Sequence, residues 1–190
     1  DPFVLRNTLL PPEGIDHLSS LPIENHIYPA LTEILAKFQD IKKFASEIHT
    51  EIHLVKPILK LLGYTYESKP KFFEDNVKDP DVALFASEDI RTSSSKLWGT
   101  PPYYANTLGI LVLKRYGRNL HEGISGFYLE FENRIPLYQI MYLLKKARAP
   151  WGILTNGRYW LLIKKPGRFE QRLIEVDLEA PGAGAVPQEV

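Results

Sequence analysis

The sequence predicts a mixed α/β domain in which a central, mixed β-sheet carries helices on both faces. Three observations lead there. Residues 27–62 contain two stretches whose apolar positions recur at helical spacing. The almost wholly apolar run Leu108 to Leu113 has the character of a strand covered on both faces. The dipeptide Asn156-Gly157 separates two β-rich runs, and a helical stretch opened by Pro136 precedes it as a late crossover.

Taken in order, residues 1–26 are rich in Pro, Gly and Ser and are expected to form an irregular arm packed on the core. Ile27, Ala30, Leu31, Ile34, Leu35 and Phe38 predict a helix from Ile27 to about Phe44, with Pro29 in the first turn, where its missing N–H is tolerated. A second helix is predicted from about Ser46 to Leu62. Ile48, Ile52, Val55, Leu59 and Leu62 make its inner face, Gly63 stops it, and Pro57 should kink or split it. Tyr64 to Glu67 and Val82 to Phe85 read as strands. Residues 86–106, with Arg91-Thr92-Ser93-Ser94-Ser95 and Pro101-Pro102, read as a long mobile loop. After the strand Leu108–Leu113, Phe127 to Phe131 is a candidate extra strand. Pro136 opens a helix to about Ala147, with Ile140, Leu143 and Leu144 facing inward. Trp151 to Thr155 and Arg158 to Ile163 form the hairpin, and residues 170–178 alternate as a last strand. The domain therefore covers 27–179, followed by a linker-like tail over 180–190.

Composition narrows the function classes. An apolar fraction of 44% and a charged fraction of 24% are ordinary for a globular chain of 190 residues. No run of apolar residues is long enough for a membrane span, and Asp1-Pro2-Phe3 does not begin a signal peptide. With no cysteine, disulfides and thiolate metal sites are excluded, which fits a reducing, cytoplasmic setting. The 23 basic and 23 acidic residues cancel, whereas an autonomous nucleic-acid binder usually carries a basic excess. A cleavage module delivered to DNA by a partner region does not need that excess.

Hydrolysis of a phosphodiester with a bound cation needs hard oxygen ligands and a positive charge near the attacking water or scissile phosphate. An Asp at the start of one strand and a Lys at the end of its neighbour supply both. Here those residues are Asp81, in Asp79-Pro80-Asp81-Val82-Ala83-Leu84-Phe85, and Lys114, at the polar end of Leu108–Leu113. Lys114 also reads simply as the surface lysine that ends a buried strand.

Longer phrases carry a resemblance. Glu51 followed by Pro57-Ile58-Leu59-Lys60-Leu61-Leu62-Gly63-Tyr64, the Asp81 strand, and Leu111-Val112-Leu113-Lys114-Arg115-Tyr116-Gly117-Arg118-Asn119-Leu120 succeed one another. They are followed by Pro136-Leu137-Tyr138-Gln139-Ile140 and Trp151-Gly152-Ile153-Leu154-Thr155-Asn156-Gly157-Arg158-Tyr159-Trp160. Over roughly residues 45–165 this resembles the N-terminal PD-(D/E)xK nuclease domain of type IIG restriction-modification enzymes, in which nuclease and adenine methyltransferase share one polypeptide. Related wording occurs in the nuclease domains of type I restriction subunits.

The resemblance implies a restriction-endonuclease-like core and Mg²⁺- or Mn²⁺-dependent cleavage of double-stranded DNA, with methyltransferase and specificity regions as partners. It implies Asp81 as metal ligand, Lys114 as the catalytic lysine and Gln139 as the helix Gln beside the site, with Leu143 where a Tyr would follow. It departs at Val112, where the family pattern has Glu. Glu51 is the expected replacement ligand, ahead of Glu130 and Glu132. The alternative is a catalytically degenerate domain of the same fold that positions DNA or contacts protein.

Other features are read more plainly. Lys114, Arg115, Arg118, Lys145, Lys146 and Arg148 offer a basic surface to a phosphate backbone or simply solvated charge. His49 and His53 stand at i and i+4, and a solvated helix face is preferred to a zinc site. Trp151, Tyr159 and Trp160 read as core or strand-face aromatics. No phosphate loop, nucleophile elbow or dinucleotide fingerprint is present, and an unrelated α/β enzyme would need a pocket built from residues 86–106.

Overall fold

The computed structural model describes residues 4–22, 26–124, 131, 134–167 and 171–179. It is an α/β structure with one seven-stranded sheet: β1 (Val4–Asn7), β2 (Thr65–Ser68), β3 (Val82–Phe85), β4 (Gly109–Leu113), β5 (Trp151–Thr155), β6 (Tyr159–Lys164) and β7 (Leu173–Asp177). The strand order is β1-β7-β6-β5-β4-β3-β2. Every neighbouring pair is antiparallel except β4 and β5, which run parallel. A parallel pair needs a long crossover, and the helix α7 (Pro136–Ala147) lies within it.

The helices cover both sheet faces. Outward from the even positions of β4, Ile110 and Val112 join Ala83, Phe85, Leu154, Leu161 and α7 residues such as Ile140 and Leu144 in the main buried cluster. The odd positions Leu111 and Leu113 join Val82 and Leu84 against Val55 and Leu59 on the other face. β3 and β4 are therefore buried throughout, as their continuous apolar runs require. Gly152 of β5 lets α7 approach closely, because an added Cβ there would stand 2.8 Å from Leu144 Cδ1.

The helix predicted over 46–62 is continuous but changes pitch. Ser46 caps α3 (Glu47–Thr50) by accepting from the His49 N–H, a π-helical turn follows over Glu51–Val55, and α4 (Lys56–Leu61) completes it. The Lys56 N–H reaches back to the Glu51 carbonyl, the spacing of a π turn. Pro57 lacks an N–H and its ring crowds the preceding turn, so the extra residue falls just ahead of it. This rotates the helix. Ile48 and Ile52, expected on the inner face, are exposed, as is Leu62, while Glu51, Leu54 and Ile58 are buried. α2 (Ile27–Gln39) is shorter than predicted and packs Phe38 against Leu54 and Ile58.

Two further expectations are corrected. Residues 1–26, read as an irregular arm, hold β1, paired with β7, and α1 (Pro12–Ser20). The supposed mobile loop 86–106 is mostly helical: α5 (Glu88–Ser94), a 3₁₀ turn (Ser95–Leu97) and α6 (Pro101–Ala105). Ser87 caps α5 by accepting from the Ile90 N–H, and Pro101-Pro102 open α6 in the first-turn position where proline is favoured. Tyr103 and Tyr104 of α6 are buried, and the Tyr104 hydroxyl donates to the carbonyls of Pro70 and Lys71 at 3.0 and 2.8 Å. The candidate strand over 127–131 lies, except for Phe131, outside the described residues, as does the tail 180–190.

Candidate functional site

Asp81 enters the site because of what precedes it. Asp79 folds back to accept the Phe72 N–H at 2.7 Å, Pro80 holds the chain extended, and Asp81 then opens β3. The Asp81 N–H donates to the Leu111 carbonyl at 2.9 Å, which continues the β3–β4 ladder beyond the strand itself. Its side chain is buried. One carboxylate oxygen, Oδ2, accepts the Leu113 N–H at 2.6 Å, and the other, Oδ1, is paired with the Lys69 ammonium.

Lys69 stands opposite Asp81 at the end of β2, where its N–H donates to the Asp81 carbonyl at 2.8 Å. Its φ of +51° is uncommon for a residue with a side chain, and Pro70 follows it. The Lys69 Nζ also lies 3.6 Å from Glu51 Oε2, while Glu51 Oε1 is 3.1 Å from Lys56 Nζ. The result is a chain of charges, Asp81–Lys69–Glu51–Lys56, with both carboxylates buried and both ammonium groups partly in solvent. Burying a carboxylate is costly unless it is paired, and each of these carboxylates has an ammonium partner.

Glu51 reaches this position through the π turn, since a regular helix would place its side chain about 100° away. Asp81 and Glu51, distant in sequence, thus direct one oxygen each at the same cation. Two hard oxygen donors facing one positive charge could serve as ligands to a divalent cation in place of the Lys69 ammonium. The half-exposed Lys69 side chain has room to swing away.

Lys114 follows β4 directly, its N–H donating to the Thr155 carbonyl at 2.8 Å. The Leu113 amide bound by Asp81 is thus one residue from Lys114. The Lys114 side chain is buried and lines a cavity of about 560 Å³ with Glu47, Lys78, Arg115, Arg118 and Asn119. Gln139, also buried, lies in the first turn of α7, and its Nε2 donates to the Arg134 carbonyl at 2.8 Å. Among the described residues, the charge chain through Lys69 includes neither Lys114 nor Gln139.

Val112, where the resembled pattern has Glu, is a core residue. Leu143 is core as well, and the neighbouring Tyr142 turns its hydroxyl to Glu74 at 2.6 Å. Lys146 pairs with the same Glu74 at 2.8 Å, which removes it from a free basic surface and holds the Glu74 carboxyl below its ordinary range. His49 and His53 stack on the exposed side of the helix with ring centroids 6.3 Å apart. Glu130 and Glu132 lie outside the described residues.

Lys56 and Lys69 were not singled out from the sequence. Lys69 had a signal: once β2 is paired antiparallel to β3, the register Ser68↔Val82 puts Lys69 opposite Asp81. Lys56 had none, because its contact with Glu51 depends on the π turn. Within the described residues no group of three or more acidic or histidine side chains is placed to share a metal, and no helix is long and apolar enough to cross a membrane. No protein-family model, curated protein or solved structure matches this chain.

Proposed function

We propose that this domain hydrolyses DNA phosphodiester bonds with a divalent cation, on a PD-(D/E)xK core of the restriction-endonuclease kind, as one part of a restriction-modification protein. The observation that carries the reading is the convergence of Asp81 and Glu51 on one ammonium group. The strand arrangement supports it, since Asp81 opens β3, Lys114 follows β4, and the two strands are antiparallel neighbours.

In this reading Asp81 and Glu51 hold Mg²⁺ or Mn²⁺ when Lys69 moves aside. The bound cation supplies Lewis acidity and a more acidic water. The Leu113 N–H fixes the orientation of the Asp81 carboxylate, and Lys56 fixes that of Glu51. Lys114 stabilises the negative charge that develops on the scissile phosphate. Gln139 is a positioning residue that secures the start of α7 through Arg134. The methyltransferase and specificity regions of the resembled enzymes would bring the DNA, which accords with a neutral domain.

Calorimetric titration of Mn²⁺ and Mg²⁺ into the wild type, Asp81→Ala and Glu51→Gln tests the reading, followed by cleavage of supercoiled plasmid. Binding that vanishes in Asp81→Ala and weakens in Glu51→Gln is expected. A wild type that neither binds the cation in the presence of duplex DNA nor cuts the plasmid would refute it.

One observation favours a second reading, a non-cleaving domain of the same fold that positions DNA or a protein partner: Val112 belongs to the apolar core. Val112→Glu separates the two. It raises cation affinity if the site can use a third carboxylate, and leaves affinity unchanged if the second reading holds.

A further inference from the structure

We propose that the turn after β4 forms a phosphate-binding pocket, anchored by Arg118 with Arg115 as its second cation, and that its occupant is a backbone phosphate of a nucleic acid. The choice of nucleic acid rests on the hydrolase reading above; the pocket itself does not.

The first observation is an unsatisfied donor. Arg118 Nη2 is buried without a hydrogen-bond partner among the described residues. A buried charged donor left unpaired is costly and rare, and a small shift of the guanidinium toward the cavity would bring it to an acceptor from outside the chain. Second, among the described residues the cavity of about 560 Å³ is lined by Arg115 and Arg118, with Lys78 and Lys114, and by one acid, Glu47. Glu47 is already engaged by Lys78 at 2.9 Å, and neither arginine has an acidic partner among the described residues. Arg118 also borders a second cavity of about 460 Å³, but there Arg158 is paired with Asp177 at 2.7 Å and His121 with Glu175 at 3.0 Å. Arg115 and Arg118 come together only on the Glu47 side, among the described residues.

Third, the turn is built before any ligand arrives. The Arg118 N–H donates to the Arg115 carbonyl at 3.1 Å, and the Arg118 carbonyl accepts from Asn156 Nδ2 at 2.8 Å, which ties the turn to the β5–β6 hairpin. Between them Gly117 takes a φ of +81° that favours glycine. The backbone that carries Arg118 is thus fixed, and its planar guanidinium offers a fork that matches phosphate oxygens. The turn begins two residues after Leu113, whose amide binds Asp81.

The test is duplex DNA binding by fluorescence anisotropy in EDTA at several salt concentrations, for the wild type, Arg118→Met, Arg118→Lys and Arg115→Met. Thermal melts with and without inorganic phosphate accompany it. Arg118→Met is expected to weaken duplex binding about tenfold and to flatten the slope of log K against log salt by about 0.9, with Arg118→Lys recovering part of the affinity. Phosphate should raise the melting temperature of the wild type but not that of Arg118→Met. In phosphate-free buffer Arg118→Met should itself melt about 2–4 °C higher, because the unpaired donor is gone.

Unchanged affinity and slope in Arg118→Met would overturn the proposal. Arg118-dependent stabilisation by phosphate without Arg118-dependent duplex binding would overturn the nucleic-acid assignment and leave a free phosphate or nucleotide as occupant. Because the binding is measured in EDTA, absence of metal binding or cleavage would count against the hydrolase reading alone.

Discussion

Removing the Lys69 ammonium should expose how the charge chain is held together. In Lys69→Met, Asp81 keeps the Leu113 N–H but loses its ion-pair partner, and Glu51 keeps only Lys56. Taking one member from a fully buried pair costs about 3–5 kcal/mol. The Lys69 side chain is 51% exposed, so part of that is screened by water, and about 2 kcal/mol is a reasonable expectation here. For a domain of this size that lowers the melting temperature by about 4–8 °C.

A divalent cation that takes the vacated position should reverse the loss. At about one hundred times its dissociation constant it contributes about 2.7 kcal/mol. Scanning calorimetry of the wild type and Lys69→Met with and without Mn²⁺ reads both effects. The double variant Lys69→Met/Asp81→Asn serves as control, since without the stranded carboxylate most of the stability should return and the Mn²⁺ effect should disappear. A Lys69→Met protein that melts like the wild type, or gains no more from Mn²⁺ than the wild type does, would refute the argument that Lys69 stands where a cation binds.

Two other perturbations test the frame around the site. The Arg158 guanidinium holds the Asp177 carboxyl below its ordinary value of 3.8, so the pair contributes stability above about pH 4 that is lost as pH falls through the lowered value. Urea melts between about pH 5 and 2 should therefore show a shallower acid loss in Arg158→Gln than in the wild type, and parallel curves would rule the pair out as a source. Gly109→Ala would bring a Cβ to 2.6 Å from the Trp151 carbonyl oxygen in the parallel partner strand, which must move; a loss of about 1–3 kcal/mol in thermal unfolding is expected, and a change under about 0.5 kcal/mol would mean the β4–β5 contact is looser than described.

Most of the sheet could be read directly from the chain. Val82–Phe85 and Gly109–Leu113 are apolar because both faces of those strands are buried, and Asn156-Gly157 marks the hairpin because Gly157 needs a φ of +92°. What escaped were features set by local side-chain chemistry or by tertiary pairing. Ser87 and Pro101 start short helices inside a segment whose Ser and Pro content reads as loop. β1 is a strand because β7 offers it an edge, and its four residues carry little periodic signal of their own.

The site was half legible for the same reason. Asp81 and Lys114 stand at strand ends where their polarity interrupts apolar runs, and Glu51 was reached through a resemblance. A period of 3.6 residues, carried through Pro57, sends Ile48 and Ile52 inward; the π turn sends Glu51 inward instead. Arg118 was one of several surface cations in the sequence, and only the folded turn distinguishes it from Lys146, which already has Glu74.

The pairing of β1 with β7 joins Val4 to Val176, nearly the full described length of the chain. Closing so long a loop is entropically late, so this rung should form after the remaining six strands have assembled and should be the first to open. In hydrogen exchange the β1 amides would then report a small, local opening, while those of β3 and β4 report global unfolding. The strand order places β7, β6 and β5 between that fraying edge and the β4–β3 ladder that carries Asp81, so the domain can loosen at one side of its sheet while the carboxylates keep their geometry at the other.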